Sequence, residues 1–353
     1  MIPLNSIYFY LTDCCNLACA HCWLSPKHIS SKADAPDRIG AEDVKKVIAE
    51  AKPLGLGSAK LTGGEPFMNR EIFEIIEAIS SEGIHLHIET NGTLIDQETA
   101  SFLAAHNTNH ISISIDSATA MFHDSFRGVS GSFDDAIAGA EHCVGEKLNV
   151  QFIMSLTTEN VNDIEEVMRL AERVGVSSVK INPVIPLGRG ANLSDNGVVF
   201  GAEDLVRLNE YVEGELARRY AVEIYFSIPS AFKPIKKFLT FDNSECNILN
   251  ILGIIPNGDI SICGIGKEEK DLVMGNIRKD AIADVWEKSP VLQRLRDIVP
   301  KKMEGICGRC LLKGRCLGSC RADAFVLTRN LAAPFWICQD AFEAGIFPKT
   351  RMM

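Results

Sequence analysis

Residues 11–23 read LTDCCNLACAHCW, and three cysteines of this stretch, Cys15, Cys19 and Cys22, follow the spacing C-x3-C-x2-C. An apolar run at residues 7–11 precedes them, which is typical of a buried strand that ends in a loop. Three thiolates on one loop can bind three irons of a four-iron cluster, for which four cysteines make a full set of protein ligands. The missing ligand would leave one iron open to a small molecule, which favours a cluster that does chemistry.

The triplet alone also fits three other interpretations. With His21 or His28 as a fourth ligand it would form a zinc site. In an oxidising compartment the cysteines would form disulfides. On a helix they would occupy positions i, i+4 and i+7, as small core residues on one face.

A second motif, GGEP at residues 63–66, narrows these choices. Gly63 and Gly64 permit positive φ and a close approach of the backbone to a ligand. Glu65 can accept a hydrogen bond from an ammonium group, and Pro66 fixes the turn before the next helix. An ordinary strand-to-helix turn would also explain the glycines on their own.

The two motifs together resemble those of the radical S-adenosylmethionine (SAM) superfamily, where the cysteine loop follows the first barrel strand and a GGEP-like turn follows the second. The resemblance implies that the three cysteines bind a catalytic [4Fe–4S] cluster whose open iron chelates the amino and carboxylate groups of SAM. The GGEP backbone and Glu65 would hold the same amino group. Reduction would then cleave SAM to methionine and a 5′-deoxyadenosyl radical, which abstracts hydrogen from a substrate.

The composition excludes several classes of protein. The 353 residues are 46% hydrophobic and 23% charged, as in ordinary globular proteins, with a net charge of −10 and no long basic stretch. We therefore expect no nucleic-acid partner. No apolar run is long enough to span a bilayer, and the amino terminus lacks a secretory signal. Twelve cysteines without such a signal predict metal ligation in a reducing cytoplasm.

The chain alternates predicted strands and helices. The predicted strands cover residues 7–12, 58–62, 85–90, 110–115, 150–156 and 178–182. The predicted helices cover residues 41–51, 70–80, 96–105, 132–144, 161–174 and 203–219. Eight such βα units would close a barrel, so six predict an open α/β structure, a partial (β/α)6 TIM-type barrel with its catalytic loops at the carboxyl ends of the strands.

Two more strand ends resemble the superfamily, ETNG at residues 89–92 and SID at residues 114–116. The resemblance implies that Thr90, Asn91 and Ser114 contact the SAM ribose and carboxylate. Asn-Gly is also a common turn, and Ser114 fits an ordinary half-buried strand.

Two loops after later strands carry charged residues. HDSFRG at residues 123–128 resembles the HDxxRG stretch of the superfamily, and it also fits a solvated loop with an incidental ion pair. PLGRG at residues 186–190 could bring Arg189 near a substrate or a carboxylate, and it also fits a surface turn.

Seven cysteines follow in the last third, with the spacing C-x11-G-x4-C, then C-x2-C-x5-C-x3-C, then a final cysteine. They closely match the SPASM extension of many radical SAM enzymes, although C-x2-C is also a common zinc element. The resemblance implies a radical SAM barrel at residues 1–235, a SPASM domain at residues 236–353 and two auxiliary [4Fe–4S] clusters. The distal cluster would be bound by Cys307, Cys310, Cys316 and Cys338, and the proximal cluster by Cys246, Cys263 and Cys320.

Two cysteines and one ligand position remain unassigned. Cys14 lies outside the motif spacing, and Cys143 fits a small buried hydrophobe. Some relatives have an extra cysteine shortly before the one equivalent to Cys246, but here residues 236–245 read KKFLTFDNSE. The proximal cluster would then have an open iron, an oxygen ligand from Asp242 or Glu245, or fewer irons.

Most SPASM-bearing relatives modify peptides or proteins, so we predict a peptide maturase that crosslinks, epimerises or oxidises its substrate. Only fourteen residues precede Cys15, so leader recognition is expected from a separate protein or from the barrel, and electrons from a flavodoxin or ferredoxin. Sulfatase maturation is disfavoured because Gly264 stands where those relatives have an aspartate base. Tetrapyrrole side-chain modification is the alternative, and a non-catalytic iron–sulfur carrier or scaffold is an alternative of another class.

Overall fold

The structure, a computed structural model, describes residues 2–36, 38–234 and 246–353. The strands of its first two-thirds are β1 (Ser6–Tyr10), β2 (Cys14–Cys15), β3 (Lys27–His28), β4 (Ser58–Thr62), β5 (His85–Thr90), β6 (Thr108–Ser114), β7 (Val150–Leu156), β8 (Ser178–Pro183) and β9 (Glu223–Phe226). The helices of this part are α1 (Ala41–Ala51), α2 (Ile72–Ser81), α3 (Gln97–Ala105), α4 (Ala120–Arg127), α5 (Ser132–Gly145), α6 (Ile164–Val174), α7 (Gly190–Asp195) and α8 (Ala202–Gly214).

The last third contains short elements. Its strands are β10 (Ile251–Ile254), β11 (Asp259–Ser261) and β12 (Val273–Asn276). Its helices are α9 (Ile282–Lys288), α10 (Pro290–Ile298), α11 (Gly305–Arg309), α12 (Lys313–Cys316), α13 (Arg321–Thr328) and α14 (Trp336–Glu343).

One sheet organises the described residues, with the strand order β12-β11-β10-β1-β4-β5-β6-β7-β8-β9. The strands from β1 to β9 in this order pair in parallel, so their carboxyl ends lie at one edge. All six predicted strands are present, and the α/β partial barrel is confirmed. The elements that were not predicted include β9, which follows α8, and α4, which contains most of the HDSFRG stretch.

The cysteine-rich tail is joined to the barrel sheet. Strand β10 pairs in parallel with β1, and β11 and β12 add to it antiparallel. Trp286 on α9 is fully buried, and its indole N–H donates to the Ile2 carbonyl at 2.9 Å. The division at residues 235/236 lies among residues that the structure does not describe, so the two-domain boundary stays a proposal.

Helices cover one face of the sheet because their apolar residues recur at helical spacing. On α1 the buried positions are Ala41, Val44, Val47, Ile48 and Ala51, and they join the main core with alternate residues of the strands. Cys143 on α5 is fully buried in this core, which confirms its prediction as a small hydrophobe. No described helix combines the length and the hydropathy needed to cross a membrane.

Candidate functional site

The three cysteines of the first motif lie together just beyond the carboxyl end of β1. Cys15 and Cys19 are buried, and Cys22 packs half-buried against them with Leu17 and Val129. Burial raises the pKa of the Cys15 thiol to about 12, with contributions from Glu65 and the other two thiols. Thiolates are soft ligands that suit iron–sulfur clusters, so this donor set fits the predicted cluster, which would bind them deprotonated.

The GGEP turn holds the cysteine loop through backbone hydrogen bonds. The Gly64 N–H donates to the Thr12 carbonyl at 2.8 Å, and the Glu65 N–H donates to the Cys14 carbonyl at 2.9 Å. Gly63 has a φ of +127°, and a Cβ on Gly64 would lie 1.9 Å from the Cys14 carbonyl oxygen. Both glycines are therefore required by the approach of the two loops.

Glu65 is buried with only 1% of its surface exposed, and its carboxylate already accepts three hydrogen bonds. The donors are the Phe67 N–H at 3.1 Å, the Thr90 hydroxyl at 2.7 Å and the Asn91 N–H at 2.8 Å. A carboxylate has about four acceptor positions, so about one is left for a ligand. Burial raises the pKa of Glu65 to about 6, and the three hydrogen bonds oppose that shift. This side chain orders the ends of β4 and β5, and its contact with the SAM ammonium stays a prediction.

Asn91 belongs to a polar network beside Cys15. Its side-chain amide donates to the Asn16 amide oxygen at 2.8 Å and lies 3.8 Å from the Cys15 sulfur. Its own amide oxygen accepts from the hydroxyl of Thr93 at 2.8 Å, and that hydroxyl also accepts from Asn16. Ser114 ends β6 at the same edge of the sheet. The structure thus brings the predicted SAM-contacting residues and the cysteine loop to one place.

A buried ion pair supports the cysteine loop from the other side. The Arg127 Nε lies 2.7 Å from the Asp116 carboxylate, and both side chains are almost completely buried. Burial alone would raise the pKa of Asp116, but the Arg127 guanidinium, together with His21 and His123, holds it at about 2. The Nη1 of Arg127 lies 4.0 Å from the Cys19 sulfur. This cation can offset negative charge on the cysteine loop.

The backbone of α4 also binds the loop. The N–H groups of Ala18 and Ala20 donate to the carbonyls of Arg127 and Phe126 at 3.0 and 2.9 Å. The HDSFRG stretch is therefore a helix docked on the cysteine loop, and the solvated-loop interpretation is wrong. The sequence offered two signals for this role, the resemblance of HDSFRG to the HDxxRG stretch and an arginine and an aspartate near an apolar strand.

The PLGRG segment docks on the third cysteine. The Arg189 N–H donates to the Cys22 carbonyl at 3.0 Å, and a Cβ on Gly188 would lie 2.3 Å from the Trp23 carbonyl oxygen. The Nε and Nη2 atoms of Arg189 are buried and have no hydrogen-bond partner among the described residues. The segment is a turn with Gly188 exposed and Arg189 half-buried, and the unsatisfied guanidinium nitrogens are suited to an anionic ligand.

The four cysteines predicted to bind the distal cluster line one small cavity in the tail, together with Ala231, Met303, Ile306 and Phe347. A hydrogen bond from the Cys338 thiol lowers the pKa of Cys307. Two backbone N–H groups also donate to these sulfurs, Phe335 to Cys307 and Leu312 to Cys310, both at 3.4 Å. The donor set and its N–H groups fit a four-cysteine cluster.

The three cysteines predicted to bind the proximal cluster also lie near one another. Burial raises the pKa of the Cys263 thiol, with further contributions from Cys320 and Cys246. Cys246 and Cys320 line one cavity with Asp323. The candidate oxygen ligands Asp242 and Glu245 lie outside the described residues.

The proximal cysteines border a polar group of strand side chains on the face of the sheet opposite the helices. Lys60 and Glu89 form an ion pair at 2.7 Å, and the Lys60 ammonium lies 4.4 Å from the centre of the Tyr8 ring. The charge of Cys246 would affect the pKa values of both Tyr8 and Lys60, so this sulfur is close to them. We call this group of Tyr8, Lys60 and Glu89 the polar face.

Comparison with known families agrees with this arrangement. Residues 9–171 match the model of the radical SAM superfamily, and residues 246–311 match SPASM, described as an iron–sulfur cluster-binding domain. The chain is therefore a radical SAM enzyme with a SPASM extension. These two domains imply that its cofactors are SAM and [4Fe–4S] clusters.

The named relatives include heme synthases, mycofactocin maturases and a pre-heme d1 synthase. The AdoMet-dependent heme synthase of Nitratidesulfovibrio vulgaris is 28% identical over 346 residues, which cover 94% of this chain and 91% of the relative. The mycofactocin maturase MftC of Mycolicibacterium smegmatis is 28% identical over 345 residues, which cover 97% of this chain and 84% of the relative.

Among solved structures, Streptococcus suis SuiB bound to S-adenosylmethionine has a TM-score of 0.74 and 21% identity, over 96% of this chain and 77% of that one. The structure of anSMEcpe with AdoMet and a Cp18Cys peptide has a TM-score of 0.71 and 18% identity, over 97% of this chain and 95% of that one. At these identities the likeness shows the shared fold.

Proposed function

We propose that this enzyme is a peptide maturase that modifies a residue of a peptide or protein held against the polar face. When bound, SAM and the catalytic cluster supply a one-electron cleavage that yields a 5′-deoxyadenosyl radical able to remove a hydrogen atom. The protein must then hold the two cofactors and the substrate in contact, and keep water away from them.

In this proposal the residues of the barrel edge have separate roles. Cys15, Cys19 and Cys22 bind the catalytic cluster. The backbone at residues 63–66 and the side chains of Thr90, Asn91 and Ser114 position SAM. Arg189 is a further candidate for the SAM carboxylate, because two of its buried nitrogens lack partners and it lies close enough to Cys19 to affect its pKa.

The observation that carries the proposal is the contact between the two cysteine regions. Tyr10 precedes the cysteine loop on β1, and a Cβ on Gly264 would lie 2.4 Å from the Tyr10 ring. Gly264 directly follows Cys263, and Cys246 lies beside the polar face. A substrate on the polar face would therefore have the proximal cluster beside it. A peptide radical that must lose an electron would have an exit path there.

The maturase relatives and the fold both support a peptide as the substrate. SuiB has been solved with its precursor peptide SuiA, and anSMEcpe with a peptide. The described sheet is open between its end strands β9 and β12, which would admit an extended chain. A leader-binding protein and a flavodoxin or ferredoxin as electron donor remain part of the proposal.

Tetrapyrrole modification is the second candidate, and one observation favours it. Two heme synthases, from Nitratidesulfovibrio vulgaris and Methanosarcina barkeri, match 94% and 91% of this chain. A tetrapyrrole with carboxylate side chains could also pair with Lys60.

The experiment supplies the anaerobically reconstituted enzyme with SAM, dithionite and one substrate at a time. The substrates are synthetic precursor peptides from the neighbouring genes, or a tetrapyrrole that carries propionate groups. Peptide maturation predicts faster 5′-deoxyadenosine formation and a mass change in the peptide, with deuterium transfer into 5′-deoxyadenosine from a labelled residue. A mass loss in the tetrapyrrole, with every peptide inert, would contradict the proposal.

A further inference from the structure

Asp323 is a buried carboxylate that lacks a partner. It lies in the first turn of α13, three residues after Cys320, and 1% of its surface is exposed. Neither of its carboxylate oxygens has a hydrogen-bond partner among the described residues. Burial raises the pKa of Asp323 to about 6, although the nearby Trp336 N–H and Arg321 oppose the shift. Buried polar groups in proteins are nearly always satisfied, so a carboxylate in this state implies a missing partner.

The neighbouring Arg321 does not donate a hydrogen bond to the Asp323 carboxylate. Arg321 is fully buried, and its guanidinium donates to the carbonyls of Gly318, Leu331 and Ala333. Its role is to hold the loops around the cysteines together. The carboxylate of Asp323 is therefore left facing the cavity that its residue lines.

That cavity belongs to the proximal cysteines. It is lined by Asp323, Cys246 and Cys320, and Cys263 lies near enough to both sulfurs to be affected by their charge. The Asp323 N–H donates to the Cys320 sulfur at 3.3 Å, which fixes the start of α13 against the site. Two of the three thiols and the Asp323 carboxylate therefore line one cavity, and the third thiol lies near both of those sulfurs.

We propose that a carboxylate oxygen of Asp323 is the fourth protein ligand of the proximal auxiliary cluster. The inference rests on the proposed assignment of Cys246, Cys263 and Cys320 to that cluster. It replaces Asp242 and Glu245 as the candidate oxygen ligands. A hard carboxylate binds iron less firmly than a thiolate, so this iron would exchange more readily than its neighbours.

The assignment has a consequence for the role of the cluster. With four protein ligands, no iron of the proximal cluster is open to a substrate thiol. The cluster then accepts an electron from the substrate without binding it. The buried Trp336 N–H lines the same cavity and lacks a partner among the described residues, so it is available to the second oxygen of Asp323.

The test removes the catalytic cluster first, because its open iron would mask the result. In the full-length Cys15→Ala/Cys19→Ala/Cys22→Ala background, the two auxiliary clusters should contribute about eight irons. Asp323→Ala, Asp323→Cys and, as the matched control, the exposed Asp340→Asn on α14 are added to this background. Each reduced protein is examined in ¹⁷O-enriched water by electron–nuclear double resonance, together with its iron content.

We expect no coupled water oxygen in the parent, in Asp323→Cys or in Asp340→Asn, and a coupled water oxygen in Asp323→Ala. Loss of about four irons in Asp323→Ala, with full retention in Asp323→Cys, would support the same ligand. A coupled water oxygen in the parent would overturn the inference, because the iron would already be open. The inference would also be overturned if the spectrum of Asp323→Ala were identical to that of the parent. Loss of iron in both Asp323→Ala and Asp323→Cys would overturn it too. A parent with only about four irons would instead remove the proposed proximal cluster itself.

Discussion

Replacing Arg127 by Met should destabilise the protein and loosen the cysteine loop. The Arg127 Nε lies 2.7 Å from a carboxylate oxygen of Asp116, and both side chains are almost completely buried. The Met substitution would leave the Asp116 carboxylate buried and unpaired, and removing one partner of such a pair costs about 3–5 kcal/mol. At about 2 °C per kcal/mol for a chain of this size, the thermal midpoint should fall by about 6–10 °C.

The pH dependence of this loss separates the ion pair from simple packing. In the native protein the pKa of Asp116 is about 2, below its ordinary 3.8, so its contribution is present above pH 3.8 and is lost as pH falls through 2. In Arg127→Met the folded pKa should lie above 3.8, so the penalty grows as pH rises. The penalty levels off above the new pKa, so the midpoint deficit should be larger at pH 7 than at pH 4.

The assay is thermal unfolding of matched anaerobic preparations, with iron content and 5′-deoxyadenosine formation as functional readouts. Arg169→Met is the control, because Arg169 pairs with Glu165 at the surface and should cost less than about 1 kcal/mol. Iron binding at the loop should weaken in Arg127→Met, since the guanidinium nitrogen that lies 4.0 Å from the Cys19 sulfur is lost. A pH-independent deficit, or one no larger than that of the control, would refute the role of the ion pair.

Two other predictions follow from the turn at residues 63–66. Gly64→Ala should prevent loading of the catalytic cluster, because the new Cβ would lie 1.9 Å from the Cys14 carbonyl oxygen. Gly57→Ala is the control, because its Cβ would meet nothing within 4 Å, and this variant should load normally. Iron analysis measures both. Glu65 has a folded pKa of about 6, above its ordinary 4.5, so its contribution to stability is present below pH 4.5 and is lost as pH rises through 6. That loss is about 2 kcal/mol of unfolding free energy. Glu65→Gln should remove this part of the pH dependence of the unfolding free energy. An unchanged pH profile in the variant would contradict the raised pKa of Glu65.

The local patterns of the sequence predict much of the barrel. The helix predicted at residues 41–51 is α1, because its apolar residues recur at helical spacing and its first turn is acidic. The strand pattern of residues 85–90 likewise gives β5. The missed strand β9 has four residues, too few for a periodic signal, and follows a helix that ends at Gly214, five residues earlier than predicted.

Long-range contacts could not be predicted in this way. Strand β10 pairs with β1 across more than two hundred residues, and nothing in the local pattern of either strand specifies the other. The Asp116–Arg127 pair and the partnerless carboxylate of Asp323 depend on burial, which the spacing of charges does not reveal. The cysteine motifs were informative because ligand chemistry, rather than packing, sets their spacing.

The most direct test of the central claim compares the native chain with its Cys15→Ala/Cys19→Ala/Cys22→Ala variant after anaerobic reconstitution with iron and sulfide. We predict about twelve irons in the native protein and about eight in the variant, since three cubane clusters become two. The native protein should form 5′-deoxyadenosine from SAM and dithionite, and the variant should form none. A variant that still cleaves SAM, or a native protein with about four irons and zinc in its tail, would contradict the account.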